Sequence, residues 1–288
     1  MTDRALIPYA VIGHPVAHSQ SPFIHAAFAA QTGEPVDYGR IDCGPDGFEA
    51  AVRRFAAQGA GGCNITVPFK FQAASLAARC SERARLAGAA NILKFDPAPA
   101  GWLADNTDGS GLLRDIGQHA GFDLAGRRVL LIGAGGAGAG VLGPLLQARP
   151  RQLVLINRSP ERAEHLAERH AALARAHGVE LSTAPLERPG SGFELVINAS
   201  ASSLQAAGVP VPAAVLAPHA LAMDLMYGPA AQGFLDWAAA HGASGRDGLG
   251  MLVEQAAEAF YVWRGVRPDG APVLQALRRH LAAAAASA

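Results

Sequence analysis

The chain has 288 residues, half of them hydrophobic and 17% charged, a globular composition long enough for two domains that each bury a core. Lys plus Arg and Asp plus Glu number 24 each, so no charge excess recommends nucleic acid or an anionic membrane as a partner. The three cysteines, Cys43, Cys63 and Cys80, are odd in number and lack metal-ligand spacing, which argues against a secreted disulfide scaffold and for free thiols in a reducing cytoplasm.

Residues 1–8 carry Asp3 and Pro8 where a signal peptide needs a cationic start and a longer apolar stretch, so an untargeted, cytoplasmic chain is expected. Residues 195–223 form the longest run without Asp, Glu, Lys or Arg, but Pro210, Pro212 and Pro218 break it, which argues against a membrane span.

In chain order, the pattern predicts strands at residues 9–13, 36–41, 62–66 and 91–95, with helices at 22–31, 48–58 and 71–76 between them. That is a small α/β domain. A second set follows: a strand at 128–132, a helix at 139–147 despite Pro144, and strands at 153–157, 180–183, 195–198 and 220–225 alternating with helical stretches. This alternation predicts a doubly wound parallel sheet. Residues 249–265 and 272–285 read as two helices with no later strand to cross to, so they are expected to return to the first domain. The nearly all-alanine tail, residues 281–288, reads as a fraying helix end, and no internal repeat is present.

The sharpest local signal is the apolar run Arg128-Val129-Leu130-Leu131-Ile132, which enters Gly133-Ala134-Gly135-Gly136-Ala137-Gly138. Glycines spaced GxGxxG between a strand and a helix let bare amide groups approach a pyrophosphate, so this reads as a dinucleotide site. At the end of the next strand, where an NAD site carries Asp or Glu for the ribose 2′-hydroxyl, the sequence has Asn157-Arg158-Ser159, with Arg162 a helical turn later. Cations at that place pair with a 2′-phosphate, and the expected cofactor is NADP rather than NAD. Asn198 ends a later strand, on the side of the sheet where ligands bind, and is expected to touch the cofactor.

Two polar clusters stand out between residues 60 and 110: Asn64-Ile65-Thr66-Val67-Pro68-Phe69-Lys70 and Asp105-Asn106-Thr107-Asp108-Gly109. Lys70 follows a strand with apolar neighbours, and a partly desolvated lysine is suited to proton traffic. Asp108 is the carboxylate expected to hold and orient it.

Read together, Ser19-Gln20-Ser21-Pro22, NITVPFK at 64–70, Ala89-Ala90-Asn91, DNTDG at 105–109, GAGGAG at 133–138, NRS at 157–159 and Gly248-Leu249-Gly250-Met251-Leu252-Val253 with Gln255 resemble the shikimate dehydrogenase family. The matches stand in order from about residue 9 to about residue 268. The resemblance implies NADPH-dependent reduction of 3-dehydroshikimate to shikimate, the fourth step toward chorismate and the aromatic amino acids. It also implies a substrate-binding α/β domain, residues 1–108 and 250–288, and an NADP-binding Rossmann domain, residues 109–249. Carried over motif by motif, it assigns Ser19, Ser21 and Tyr227 to the substrate carboxylate, and Thr66, Lys70, Asn91, Asp108 and Gln255 to the ring hydroxyls and the reacting oxygen. Lys70 and Asp108 are the catalytic pair, and Gly248 joins the cofactor set. Ser and Tyr hydroxyls can hold a carboxylate, and Asn, Gln and Asp can match vicinal hydroxyls, so the chemistry agrees with this division. Ser19 and Ser21 otherwise read as a helix cap before Pro22. The implied partner is one small molecule, with no nucleic acid, membrane or metal, for a monomer or homodimer.

Phe71 after the lysine, Ala90 in the GAxN turn and Ala201 after NAS depart from the family pattern, so quinate or an aminated analogue stays open as substrate, as does a dinucleotide-binding regulator without turnover. Ser21 in place of threonine leans toward shikimate, although one methyl is worth only about 1–3 kcal/mol.

Overall fold

The computed structural model describes residues 5–200, 202, 209 and 211–286. Ala201, residues 1–4 of the N-terminal segment, Pro210 and residues 287–288 of the tail lie outside the described residues. The chain divides into two compact units, Met1–Thr107 with Val253–Ala288, and Asp108–Leu252.

In unit 1 the strands β1 (Ile7–Gly13), β2 (Val36–Asp42), β3 (Gly62–Ile65), β4 (Arg79–Cys80), β5 (Ile92–Lys94) and β6 (Leu103–Asp105) form a sheet in the order β2-β1-β3-β5-β6-β4. β1 pairs in parallel with β2 and β3, whereas β5 runs antiparallel to β3 and β6. The helices α1 (Ser21–Thr32), α2 (Phe48–Ala57), α3 (Lys70–Leu76) and α4 (Glu82–Ala87) fill the connections. One core joins Ile12, Phe48, Val52, Ile65, Phe69 and Leu93. Within it the Phe48 and Phe69 rings stack with centroids 4.6 Å apart. Sequence patterning finds β1, β2, β3 and β5 but not β4 or β6, which are two and three residues long and give an alternation nothing to repeat over.

Unit 2 contains β7 (Arg128–Ile132), β8 (Gln152–Ile156), β9 (Glu180–Ala184), β10 (Phe193–Asn198), β11 (Leu216–Asp224) and β12 (Ser244–Arg246), in the order β12-β11-β10-β7-β8-β9, all parallel. Numbered from β7, this is the 3-2-1-4-5-6 order of a dinucleotide-binding doubly wound sheet, with the strand order reversing between β7 and β10. β7 and β8 are buried from their second residue onward, as strands covered on both faces must be, which is why they read as continuous apolar runs. α5 (Asp108–Arg114) continues into a π-helical turn, Asp115–His119. α6 (Gly136–Gln147), α7 (Pro160–Ala176) and α8 (Pro229–Ala240) follow in the crossovers.

α9 (Leu249–Arg264) starts in unit 2, and from Val253 onward it belongs to unit 1 with α10 (Gly270–Ala286). Trp263 anchors it there: the indole Nε1 donates to the Leu93 carbonyl at 3.1 Å and the ring lies 4.8 Å from that of Tyr9. Among the described residues, no helix is long and apolar enough to cross a membrane.

Candidate active site

In unit 1, β1 ends in a loop that delivers Ser19 and Ser21 to the start of α1. Ser19 Oγ donates to Ser21 Oγ at 3.1 Å and also accepts the Ser21 backbone N–H at 3.3 Å. The N-cap of α1 is Gln20, with no side-chain cap bond, and Ser19 meets the first helical residue through both its amide and its hydroxyl.

Thr66 and Lys70 flank the turn between β3 and α3. The Thr66 N–H donates to the Ile12 carbonyl at 3.0 Å and its own carbonyl accepts the Phe69 N–H at 3.0 Å, which closes the turn. Phe69 is 1% exposed and fixed by its stack on Phe48, so the next residue, Lys70, starts α3 from an anchored point. Lys70 is half-buried, and nearby in sequence Val67 and Phe71 expose apolar side chains.

Asn91 and Gln255 meet inside the unit. Asn91 Nδ2 donates to Gln255 Oε1 at 3.1 Å and to Thr107 Oγ1 at 2.9 Å, while the Thr107 N–H returns to Asn91 Oδ1 at 2.8 Å. All three side chains are buried, which gives an amide pair and a hydroxyl held in one orientation. Beneath them Asp105 takes a bidentate bond from Arg83, at 2.7 and 2.6 Å. Burial alone would raise the Asp105 carboxyl, but the Arg83 bond and charge outweigh it and hold the group below its usual range.

In unit 2, β7 runs directly into the glycine turn. Gly133 has φ 110°, a conformation that an L side chain rarely adopts, and its N–H donates to the Ile156 carbonyl at 2.7 Å. A Cβ on Gly138 would stand 2.0 Å from the Gly133 carbonyl oxygen, so the first turn of α6 closes on the strand only without one. The N-cap, Gly135, is extended and contributes no side-chain bond, which leaves the α6 amides available to an anion. Asn157 Oδ1 accepts the Ala134 N–H at 3.0 Å and Asn157 Nδ2 donates to the Ser159 carbonyl at 3.0 Å, tying the glycine turn to the end of β8. Arg158 and Arg162 are exposed beside it, and among the described residues neither guanidinium is engaged by a carboxylate. A turn without side-chain obstruction, free helix amides and two unpaired cations suit a dinucleotide carrying a 2′-phosphate.

At the end of β10, Asn198 Nδ2 donates to Asp224 Oδ2 at 3.0 Å and Asn198 Oδ1 accepts the Ser200 hydroxyl at 2.7 Å. Asp224 Oδ1 in turn accepts the Met226 N–H at 2.8 Å, which sets the approach to the half-buried Tyr227. Asn198 is therefore a strut between β10 and β11. Asp108 is the first residue of α5, an acid at a helix N-terminus, and is 3% exposed. Gly109 follows because α5 crosses α6 at Pro144, whose Cγ would lie 2.2 Å from any Cβ there. The start of α9, next to the buried Gly248, backs onto Asp115, which bonds Arg246 through its Nε at 3.0 Å and through Nη2.

Three family models match the chain: the shikimate dehydrogenase substrate binding domain over residues 11–93, shikimate / quinate 5-dehydrogenase over 115–204, and the shikimate 5′-dehydrogenase C-terminal domain over 248–278. A shikimate dehydrogenase (NADP(+)) of Methylibium petroleiphilum is 65% identical over 276 residues, covering 94% of this chain and 93% of the relative. The chain belongs to the shikimate dehydrogenase family. An Acidovorax member, named the same way, is 60% identical over 96% of this chain and 98% of its own. The Thermus thermophilus shikimate 5-dehydrogenase, solved with NADP(H) and shikimate, superposes with a TM-score of 0.82 at 32% identity, covering 95% of this chain and 99% of that one.

Within this family member, the residues singled out from sequence fall into two groups, one in each unit. Ser19, Ser21, Thr66, Lys70, Asn91 and Gln255 lie in unit 1; Asp108, the glycine turn, Asn157, Arg158, Ser159, Arg162, Asn198, Tyr227 and Gly248 lie in unit 2. Sequence reasoning gave no role to Thr107, the hydroxyl that locks Asn91 to Gln255, or to Asn64, which accepts the Tyr38 hydroxyl at 2.6 Å. Both stand inside quoted motifs; Asn64 was signalled by its polarity between Cys63 and Ile65, whereas Thr107 is one polar residue among several in DNTDG. Tyr38 and His25 carried no signal. The imidazole of His25 is fully buried and stacked on Tyr38, with centroids 4.1 Å apart, and among the described residues neither ring nitrogen has a hydrogen-bond partner. Burial lowers its pKa to about 3, against a smaller opposing effect of the facing Asn64.

Proposed function

We propose that this chain reduces 3-dehydroshikimate to shikimate with NADPH, on the route to chorismate and the aromatic amino acids, with Lys70 and Asp108 as its catalytic residues. The observation that carries the reading is identity of 65% along 94% of the chain to a shikimate dehydrogenase (NADP(+)). Its balanced charge of 24 cationic and 24 anionic residues supports a small-molecule partner, and we place the reaction in the cytoplasm, in a monomer or homodimer.

The cofactor, when bound, supplies the hydride that reduces the ring carbonyl carbon. Gly133, Gly135, Gly136 and Gly138, with Ala134 and Ala137, present the backbone to its pyrophosphate, and Arg158 and Arg162, with Asn157 and Ser159, take the 2′-phosphate end. Asn198 and Gly248 shape the turns beside it. Ser19, Ser21 and Tyr227 hold the substrate carboxylate, and Thr66, Asn91 and Gln255 hold its hydroxyls.

Lys70 Nζ donates a proton to the carbonyl oxygen as the C–O double bond becomes a C–OH single bond, and recovers that proton from solvent. Asp108 accepts a hydrogen bond from the neighbouring ring hydroxyl. General acid catalysis of this kind contributes on the order of 10² to 10⁴ in rate, in addition to what positioning supplies.

The test is a two-by-two comparison of initial rates with shikimate or quinate as reductant and NADP⁺ or NAD⁺ as oxidant, followed by absorbance of the reduced cofactor. The highest kcat/KM is expected for shikimate with NADP⁺. A preference for quinate overturns the substrate assignment, and a preference for NAD⁺ overturns the cofactor assignment.

A further inference from the structure

The loop that delivers Ser19 and Ser21 has no regular structure of its own between β1 and α1, yet it must present two hydroxyls in one geometry. Edge strand β2 lies alongside. Successive side chains of a strand point to opposite faces, so Tyr38, Arg40 and Asp42 share one face of β2. Each of the three reaches the loop at a different point.

The Tyr38 phenol donates to Asn64 Oδ1 at 2.6 Å, and the Ser21 hydroxyl beside it lowers the phenol pKa against the larger opposing effect of burial. Arg40 donates through Nε at 3.0 Å and Nη2 at 2.6 Å to a single acceptor, the Ser19 carbonyl. Asp42 Oδ1 bonds His14 Nδ1 at 2.7 Å, where the loop leaves β1, and that contact is the main cause of the lowered Asp42 pKa. Stacking on His25 of α1 holds the Tyr38 ring, and burial pushes its phenol well above the ordinary range, so the hydroxyl stays protonated. On the opposite face of the same strand, Ile41 packs into the core, which fixes the register of all three contacts.

We infer that one face of β2 is a template for the serine turn: Tyr38 and Arg40 are positioning residues that hold the Ser21 hydroxyl and the Ser19 carbonyl where a substrate carboxylate is received, and Asp42 pins the root of the loop through His14. The inference rests on the reading that Ser19 and Ser21 bind that carboxylate. Arg40 acts by a charge-assisted bond to backbone, so its loss frees the turn without removing any group that meets substrate. Tyr38 acts by selecting one rotamer of Ser21.

The experiment measures kcat and KM for shikimate and for NADP⁺ in Ser21→Ala, Tyr38→Phe, Arg40→Ala and Arg40→Lys, with melting temperatures alongside. A neutral hydrogen bond is worth about 1 kcal/mol and a charged one about 1.5–3, so KM for shikimate should rise about fivefold in Tyr38→Phe and at least about tenfold in Arg40→Ala. KM for NADP⁺ and kcat should stay within about twofold. Arg40→Lys should recover part of the loss, because lysine keeps the charge without the paired donors. With shikimate methyl ester, which has no carboxylate to receive, the KM penalties of Tyr38→Phe and Arg40→Ala should largely vanish; a merely structural defect would penalise acid and ester alike. If Ser21→Ala raises KM for shikimate while Tyr38→Phe and Arg40→Ala do not, the template is overturned and the serine assignment stands. If Ser21→Ala changes nothing, the assignment falls and the template falls with it.

Discussion

His25 makes unit 1 sensitive to acid, and the size of the effect follows from its surroundings. Its ring is buried, with no hydrogen-bond partner for either nitrogen among the described residues, and burial lowers its pKa from 6.5 to about 3. The folded chain therefore keeps His25 neutral where the unfolded chain protonates it. Above about pH 6.5 both states are neutral and stability is unaffected; below it, the unfolded state binds one more proton and gains about 1.4 kcal/mol per pH unit until the folded pKa is reached. Between pH 7.5 and 4.5 the loss from this one residue is about 3 kcal/mol. The assay is urea unfolding across that range by tryptophan fluorescence in a Trp237→Phe background, where the remaining tryptophans, Trp102 and Trp263, both lie in unit 1. His25→Phe removes the titration and keeps an aromatic ring against Tyr38, so its stability should fall less steeply with acid than that of His25, by the same amount of about 3 kcal/mol. Carboxylates that titrate over this range contribute equally to both proteins and cancel in the difference. Parallel pH profiles for the two would refute the reasoning.

The cofactor turn makes two further predictions. Gly138→Ala places a Cβ 2.0 Å from the Gly133 carbonyl and should raise KM for NADP⁺ by at least about tenfold, with KM for shikimate little changed; equal KM values for NADP⁺ in variant and parent would show that the turn yields at no cost. Arg158→Ala should cut the preference for NADP⁺ over NAD⁺ by about ten- to a hundredfold, since a charge-assisted bond to a phosphate is worth about 1.5–3 kcal/mol. An unchanged preference in kcat/KM would move the 2′-phosphate to other residues.

The sequence made the parallel sheet of unit 2 legible because β7, β8, β10 and the second half of β11 are largely buried, and burial leaves each as an apolar run bounded by turn residues. β12, with three residues and only partial burial, leaves no such trace. α5 was equally hidden, since Gly109 and Gly111 interrupt any helical stripe, and the reason for Gly109 is Pro144 on another helix. The site followed the same division. Residues proposed to carry the chemistry stand in short motifs, Lys70 in NITVPFK and Asp108 in DNTDG, and stood out. The contacts that order the other candidate residues did not, because they are non-local: Asn91 meets Gln255 across 164 positions, and Arg40 meets the Ser19 carbonyl with nothing in either local sequence to announce it. Ser19 and Ser21 show the limit from the other direction, since a serine pair before Pro22 reads equally well as a helix cap until the Gln20 N-cap is seen.

Steady-state kinetics of Lys70→Ala, with shikimate and NADP⁺ both varied, test most directly the claim that Lys70 carries the proton. The account predicts a fall in kcat of about 10² to 10⁴, with KM for shikimate raised only a few-fold. A variant that keeps its kcat and shows only a raised KM would contradict it, and would reduce Lys70 to a residue that binds substrate.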